Sequence, residues 1–189
     1  SDAGKQLAAE TAEAVFASHN HLAGGQAFYS DIKGRMNKLG RNTEHLKILP
    51  ACLVVVGETV EEARNKRAHL DSLIHYETAI ASLSIVLGHD ASKFDADKAL
   101  PDIPESNASK SARERAIDLA KSENLTVRQL AQRLGGFSGL AMVGTPKTIA
   151  DEMEKWLMTG GCDGFTIMFP FLPDGLDGFV DQVIPELQD

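Results

Sequence analysis

The pattern of apolar and polar positions is clearest in the last fifty residues, GLAMVGTPKTIADEMEKWLMTGGCDGFTIMFPFLPDGLDGFVDQVIPELQ, which read as loop, helix, loop, buried strand, loop and helix. Thr145 is placed to cap a helix and Pro146 fits its first turn. Ile149, Met153, Trp156 and Leu157 then form one apolar stripe at helical spacing. Gly160 and Gly161 stop it. Phe165 to Phe169 follows without polar alternation, the pattern of a parallel strand covered on both faces, and Pro170 and Pro173 close it.

Upstream, the pattern predicts a helix from about Ala3 to Thr11 and then a short strand, Ala14 to Ala17. A helix around Ala27 to Lys38 buries Phe28, Ile32, Met36 and Leu39 and ends at Gly40. Ile48 to Val56 is β-branched and apolar, a second strand; Pro50 has no N–H to donate, so a bulge or a strand start is expected there. Between Thr59 and Gly136 the chain is too long for a simple connection and carries helical signals of its own. Thr59 with Glu62 fits a capping box, and Leu70, Leu73, Ile74, Ile80, Leu83 and Leu87 keep helical spacing, which predicts one long helix running to Gly88. The polar stretch HDASKFDADKALPDIPESNASK reads as an extended loop. Two shorter helices follow, one around Ala112 to Lys121 and one starting at Thr126, where Gln129 completes a second capping box, and ending at Gly135 and Gly136.

Composition narrows the classes. Apolar residues make up 43% of the chain, enough for a substantial core, and no apolar run approaches the roughly 20 residues of a membrane span. A net charge of −8 without a dense Lys or Arg cluster argues against a nucleic-acid surface, which needs concentrated positive charge. Cys52 and Cys162 have neither the number of a disulfide framework nor metal-ligand spacing, so no metal is expected and a reducing cytoplasm without a signal peptide fits.

The phrases VGTPKTIADEMEKW, CDGFTIMFP and LDGFVDQVIPEL, with SDAGKQLAAETAEAVFAS, FYSDIKGRMNKLGR, LKILPACLVVVGETVEEA and LTVRQLAQRLGG upstream, resemble in their joint order the C-terminal part of luciferase-like flavin-dependent monooxygenases. Within them the chain most resembles the branch of the nitrilotriacetate, dibenzothiophene-sulfone and pristinamycin monooxygenases. The resemblance implies the C-terminal portion of a (β/α)8 TIM barrel of bacterial-luciferase type. Residues 14–17 and 48–56 would then be its sixth and seventh strands, and 59–136 a helical insertion within one partial barrel domain, 1–189. A whole barrel needs about 250 residues, so the chain is expected to be a piece of a longer protein or a short relative that completes its sheet with another chain.

By the same resemblance the expected function is that of the oxygenase component of a two-component monooxygenase. Reduced FMN would come from a separate flavin reductase, with O2 as co-substrate and one oxygen atom passed to a small organic molecule. The cofactor carries the hard chemistry, so no nucleophile or triad need be visible. The alternatives are a non-catalytic assembly fragment and a deazaflavin-dependent oxidoreductase of the same superfamily. A homo-oligomer, or pairing with the missing N-terminal half, is the expected assembly.

Barrel active sites form where strands end, which selects several residues. His19, with His21 after it, follows the sixth strand, and His89 follows Gly88; His19 and His89 are the candidate catalytic residues, against a reading of each as a solvated loop histidine. His19 and His21 also have the spacing of a metal pair, but no third ligand accompanies them. Ser1 is the candidate for the flavin phosphate, because SDAG matches the end of the family's phosphate turn and a helix N-terminus favours an anion; it also reads as a plain helix cap. Phe169 and Phe171 are the candidates for the substrate pocket. The run Asp95, Asp97, Asp102, Glu105 reads as a solvated loop, and His45, His69 and His75 have no identifiable partner.

Overall fold

A computed structural model describes residues 1–106, 109–137 and 139–188. The chain divides into two compact units, Ser1–Lys66 with Gly139–Asp189, and Arg67–Ser138.

The first unit begins with α1 (Asp2–Thr11), capped by the Ser1 hydroxyl, which accepts from the Gly4 N–H. Then come β1 (Ala14–Ala17), α2 (Leu22–Lys38) and β2 (Lys47–Val56). Gly40, in the left-handed region at φ +68, turns the chain out of α2. Ile32 and Met36 are fully buried with Ala9, Ala17, Leu46 and Ile48, whereas Phe28 is only half-buried and Leu39 is exposed, so the buried stripe of α2 is narrower than expected.

After the second unit the chain returns through β3 (Leu140–Gly144), α7 (Pro146–Met158) and β4 (Thr166–Met168), and ends in α8 (Asp174–Gly178), a π turn at Phe179–Val183 and α9 (Ile184–Gln188). All ladders are parallel and all involve β2. Its first half pairs with β1, from Ala14 opposite Lys47 to Ala17 opposite Pro50. Its second half pairs with β3, from Cys52 opposite Leu140 to Val56 opposite Gly144, and Ala51–Leu53 pair with β4. The segment LAMVG, expected as a loop, is therefore a strand. It alternates buried and half-buried positions, and its flanking glycines hide the signal that five such residues carry. The last strand is shorter than the Phe165 to Phe169 run, and Met168 is 37% exposed.

Pro50 sits inside β2 rather than at a bulge or start. The Lys47 N–H donates to the Glu13 carbonyl on the β1 side and the Ile48 N–H to Asp163 on the other. By strand alternation the nitrogen of Pro50 faces the β4 side, one residue before that ladder begins, so no ladder donor is lost.

α7 follows the sequence closely. The Thr145 hydroxyl accepts from the Thr148 N–H, Thr148 completes a capping box, and Pro146 opens the helix. Ile149, Met153 and Trp156 are buried, while Leu157 is 42% exposed. Trp156 packs edge-on to Phe165 and lies against Gly25 of α2, where a Cβ would come within 2.4 Å of the indole.

In the second unit, the expected long helix is two: α3 (Val60–Ser72), which starts in the first unit, and α4 (Tyr76–Leu87), bent by 89° at the break. Neither Gly nor Pro marks it. The end of α3 tightens, with the Leu73 N–H donating to both His69 and Leu70 carbonyls, and Ile74 turns in against Gly135. Thr59 caps α3 through the Glu62 N–H, but the Glu62 carboxylate reaches past it to the Glu58 N–H. Gly88 ends α4 at φ +70. The following stretch contains a 3-10 turn at Ala91–Lys93 and an antiparallel bridge from Ala99 to Thr126, and its residues 107 and 108 lie outside the described residues. α5 (Lys110–Ser122) and α6 (Val127–Gly135), the latter with the expected Thr126 and Gln129 box, pack on α4 around Leu83, Leu87, Val127 and Leu130. No single helix among the described residues is long and apolar enough to cross a membrane.

Candidate functional site

Two kinds of surface meet the four strands, and they differ in chemistry. The segments leading into strands are held by cations. Lys33, on the buried stripe of α2 one turn after Tyr29, is 8% exposed; its ammonium donates to the Thr43 and Leu46 carbonyls at 2.8 and 2.7 Å, ahead of β2. It also pairs with Asp163 at 3.1 Å, ahead of β4. Asp163 accepts from the Tyr29 hydroxyl at 3.1 Å and from the Ile48 N–H at 2.8 Å, and its own N–H donates to the Ile48 carbonyl. Burial, then the neighbouring Asp163 carboxylate, pushes the Tyr29 phenol up to about 12. Arg41 donates to the Ala9 and Ala12 carbonyls at the end of α1, just before β1, where a cation also suits the helix dipole. Arg67, 5% exposed, donates to the Phe137 carbonyl at 2.7 Å ahead of β3 and is held by Asp71. None of these residues was singled out from sequence. The readable signal was Lys33, a charge at i+4 from Tyr29 on a stripe otherwise apolar.

Among the described residues, the segments that follow strands carry no buried cation of this kind; at the end of β2 the exposed Lys66, paired with Glu62, donates to the Val56 carbonyl at 3.1 Å. After β1 come Ser18 and His19; the His19 ring is half-buried and lies on Phe28 with centroids 5.1 Å apart. His21 is exposed and caps α2, its Nδ1 accepting from the Gly24 N–H at 3.1 Å, so Nε2 carries the proton in the neutral ring. After β2, Gly57 donates its N–H to the Gly144 carbonyl at the end of β3, and a Cβ there would meet the Ala63 nitrogen at 2.6 Å, so only glycine lets α3 start this close. After β4, Phe169 is half-buried on Phe179 at 5.8 Å, and Phe171 is 40% exposed. Phe169 and Phe171 thus share the exit of β4, and His19 stands at the exit of β1. Ser1 is exposed at the N-terminus of α1, the helix end remote from the start of β1.

His89 belongs to the second unit. Its Nε2 lies 3.0 Å from the Pro104 carbonyl and donates to it, leaving Nδ1 as the nitrogen open to other chemistry. Cys52 and Cys162 are free and buried; burial raises their thiols to about 12 and about 11, which keeps them protonated and inert. No group of three His, Cys, Asp or Glu side chains suited to a metal occurs among the described residues.

The family model described as luciferase-like monooxygenase matches residues 1–163. Nitrilotriacetate monooxygenase component A of Aminobacter aminovorans is 50% identical over 98% of this chain and 42% of its own length. Dibenzothiophene-sulfone monooxygenase of Rhodococcus erythropolis is 34% identical, again over 98% of this chain and 42% of its own. The crystal structure of DmoA from Hyphomicrobium sulfonivorans superposes with a TM-score of 0.81 at 29% identity, over 98% of this chain and 39% of that one. The chain spans about two fifths of the length of these relatives.

Proposed function

Because the chain belongs to the luciferase-like monooxygenase family, its four parallel strands being part of that family's barrel, we propose that it contributes to the oxygenase component of a two-component, FMN-dependent monooxygenase. The observation that carries this reading is the division of labour around the sheet. Strand entries are fixed by ion pairs and charged hydrogen bonds, whereas strand exits, where barrel enzymes place their chemistry, present a histidine, two phenylalanines and a tight glycine turn.

The residues present suit a flavin phosphate at one point. At the start of α1 the Ser1 hydroxyl and the first-turn N–H groups of Asp2 and Ala3 have no acceptor within the helix, and the helix dipole favours an anion there. When bound, reduced flavin would supply the reaction with oxygen; a separate reductase would deliver it in a reducing cytoplasm. The chain's own part is to bind and to exclude water. Phe169 and Phe171 would wall the substrate pocket, and His19, backed by Phe28, would hold or move a proton beside it. The substrate would be a small organic molecule; the relatives' names range from an aminopolycarboxylate to a sulfone.

An anaerobic titration of the chain with reduced FMN, read by calorimetry, tests this. Saturable micromolar binding that weakens at least tenfold in Ser1→Ala supports a working phosphate site. No binding favours the second reading, a non-catalytic fragment that acts only with the remainder of a barrel, to which the relatives' greater length lends support. Binding of a deazaflavin in preference to FMN would replace the monooxygenase reading altogether.

A further inference from the structure

In the second unit, a cleft of about 410 Å³ opens beneath the arch 99–103, within the size range of small-molecule sites. The arch is pinned at both ends. On one side the Val127 N–H donates to the Lys98 carbonyl and the Arg128 N–H to the Ala96 carbonyl, each at 2.8 Å, and Ala99 bridges Thr126. On the other, the Arg113 guanidinium donates to the Ile103 and Pro104 carbonyls at 2.7 and 2.8 Å, and the His89 Nε2–H donates to Pro104 at 3.0 Å. A roof fixed at both ends above α5 keeps the cleft open without a ligand, so little ordering cost opposes binding.

Leu100, Ile103, Ile117 and Leu125 line the cleft, and so do the charged residues Asp102 and Lys121. Both charged side chains are exposed, and neither has an ion partner among the described residues. We infer that this cleft binds a small zwitterion with an apolar body, of which an aromatic amino acid is the type. The ammonium would face Asp102, the carboxylate Lys121, and the ring the four aliphatic walls. A molecule with one charge meets one matching and one opposing group, so charge complementarity selects the zwitterion over either half. This inference does not rest on the monooxygenase reading. It gives His89 the role of a positioning residue for the roof.

The test is a titration of the whole 189-residue chain, followed by amide NMR, with L-phenylalanine, 3-phenylpropionate and 2-phenylethylamine. Expected are saturable shifts at Leu100, Ile103, Lys121 and Leu125 with millimolar L-phenylalanine. Each singly charged analogue should bind about two- to fivefold more weakly, the increment of one exposed ion pair. Lys121→Glu, on the surface, should make phenylethylamine the better analogue while leaving the remaining amides in place, and Ile117→Trp should fill the cleft and abolish all three. No saturable shift at these amides up to about 20 mM, a regime of very weak binding, would overturn the inference. So would equal affinity for the three compounds, which would mean an apolar wall without charge selection, or shifts confined to other parts of the chain.

Discussion

Strand entries and strand exits in this protein are built from different side chains although they belong to the same strands. Lys33 with Asp163, Arg41 and Arg67 fix the segments ahead of β1, β2, β3 and β4 through carbonyls and a carboxylate that are largely out of water. His19, Gly57, Phe169 and Phe171 occupy the exits, with ring contacts, the Gly57 backbone hydrogen bond and, at the end of β2, an exposed Lys66 on the Val56 carbonyl. Buried charges need every partner in place, so an entry tolerates little change. Apart from Gly57, where a Cβ would strike the Ala63 nitrogen, exits held by apolar contact can vary with comparatively small effects on the fold. The contrast suits a scaffold that keeps its register while the side chains proposed to meet ligands change.

The strongest way to break the contrast is Lys33→Met. It leaves Asp163 without its ammonium at 10% side-chain exposure and should cost about 3 to 5 kcal/mol in denaturant unfolding. A loss below about 1 kcal/mol, the range of surface pairs, would show that the entry clamp is ordinary surface electrostatics. Gly25→Ala drives a methyl into Trp156 and toward the Gly161 carbonyl, in the loop ahead of β4, and should cost about 3 kcal/mol by the same measurement.

The pH dependence sharpens it. The Cys52, Cys162 and Tyr29 values are raised from 9.0, 9.0 and 10.0 to about 12, 11 and 12. The folded protein therefore keeps protons that the unfolded chain releases, and the stability these groups supply is complete below about pH 9 and declines as pH rises toward 12. Unfolding curves from pH 8 to 11 should show this alkaline decline, of order 2 kcal/mol by pH 10.5 from Cys52 alone. In Tyr29→Phe the tyrosinate absorbance step near pH 12 should vanish. Asp31, held by Arg35 and then Lys5, is lowered from 3.8 to about 2, so its contribution is present above about pH 4 and is lost as pH falls toward 2. The smallest expected effect is at an exit. His19→Ala should change stability by about 1 kcal/mol or less, the worth of one aromatic contact, while lowering turnover of the complete enzyme at least tenfold. Unchanged turnover would remove His19 from the chemistry.

What could be read from sequence was local. The Thr145 cap, the Thr126 box, Gly40, Gly88 and the Ala14–Ala17 strand depend on neighbours within a few residues, and they stand where the pattern placed them. The misses depend on distant partners. LAMVG becomes a strand because β2 offers it an edge, and the bend after α3 exists because Ile74 packs on Gly135. The Asp163 clamp joins residues 130 apart in sequence, and nothing in CDGF marks its aspartate as the acceptor for Lys33. The exit residues were selected by a rule about where barrel chemistry sits rather than by any pattern of their own, so sequence could name them but could not tell which meet one another.

β2 has a further consequence, in time rather than in space. Its ladder with β1 needs only α2 to form, but those with β3 and β4 need chain made after the whole helical unit. Closing so long an interval costs little at equilibrium, because each doubling of loop length adds only about 0.6 kcal/mol. It costs more in rate, since non-local strand pairing is slow. During synthesis β2 must therefore wait with an open apolar edge, a state prone to association with other chains. The helical unit, rich in local contacts, folds fast, and by drawing its own ends together it shortens that wait.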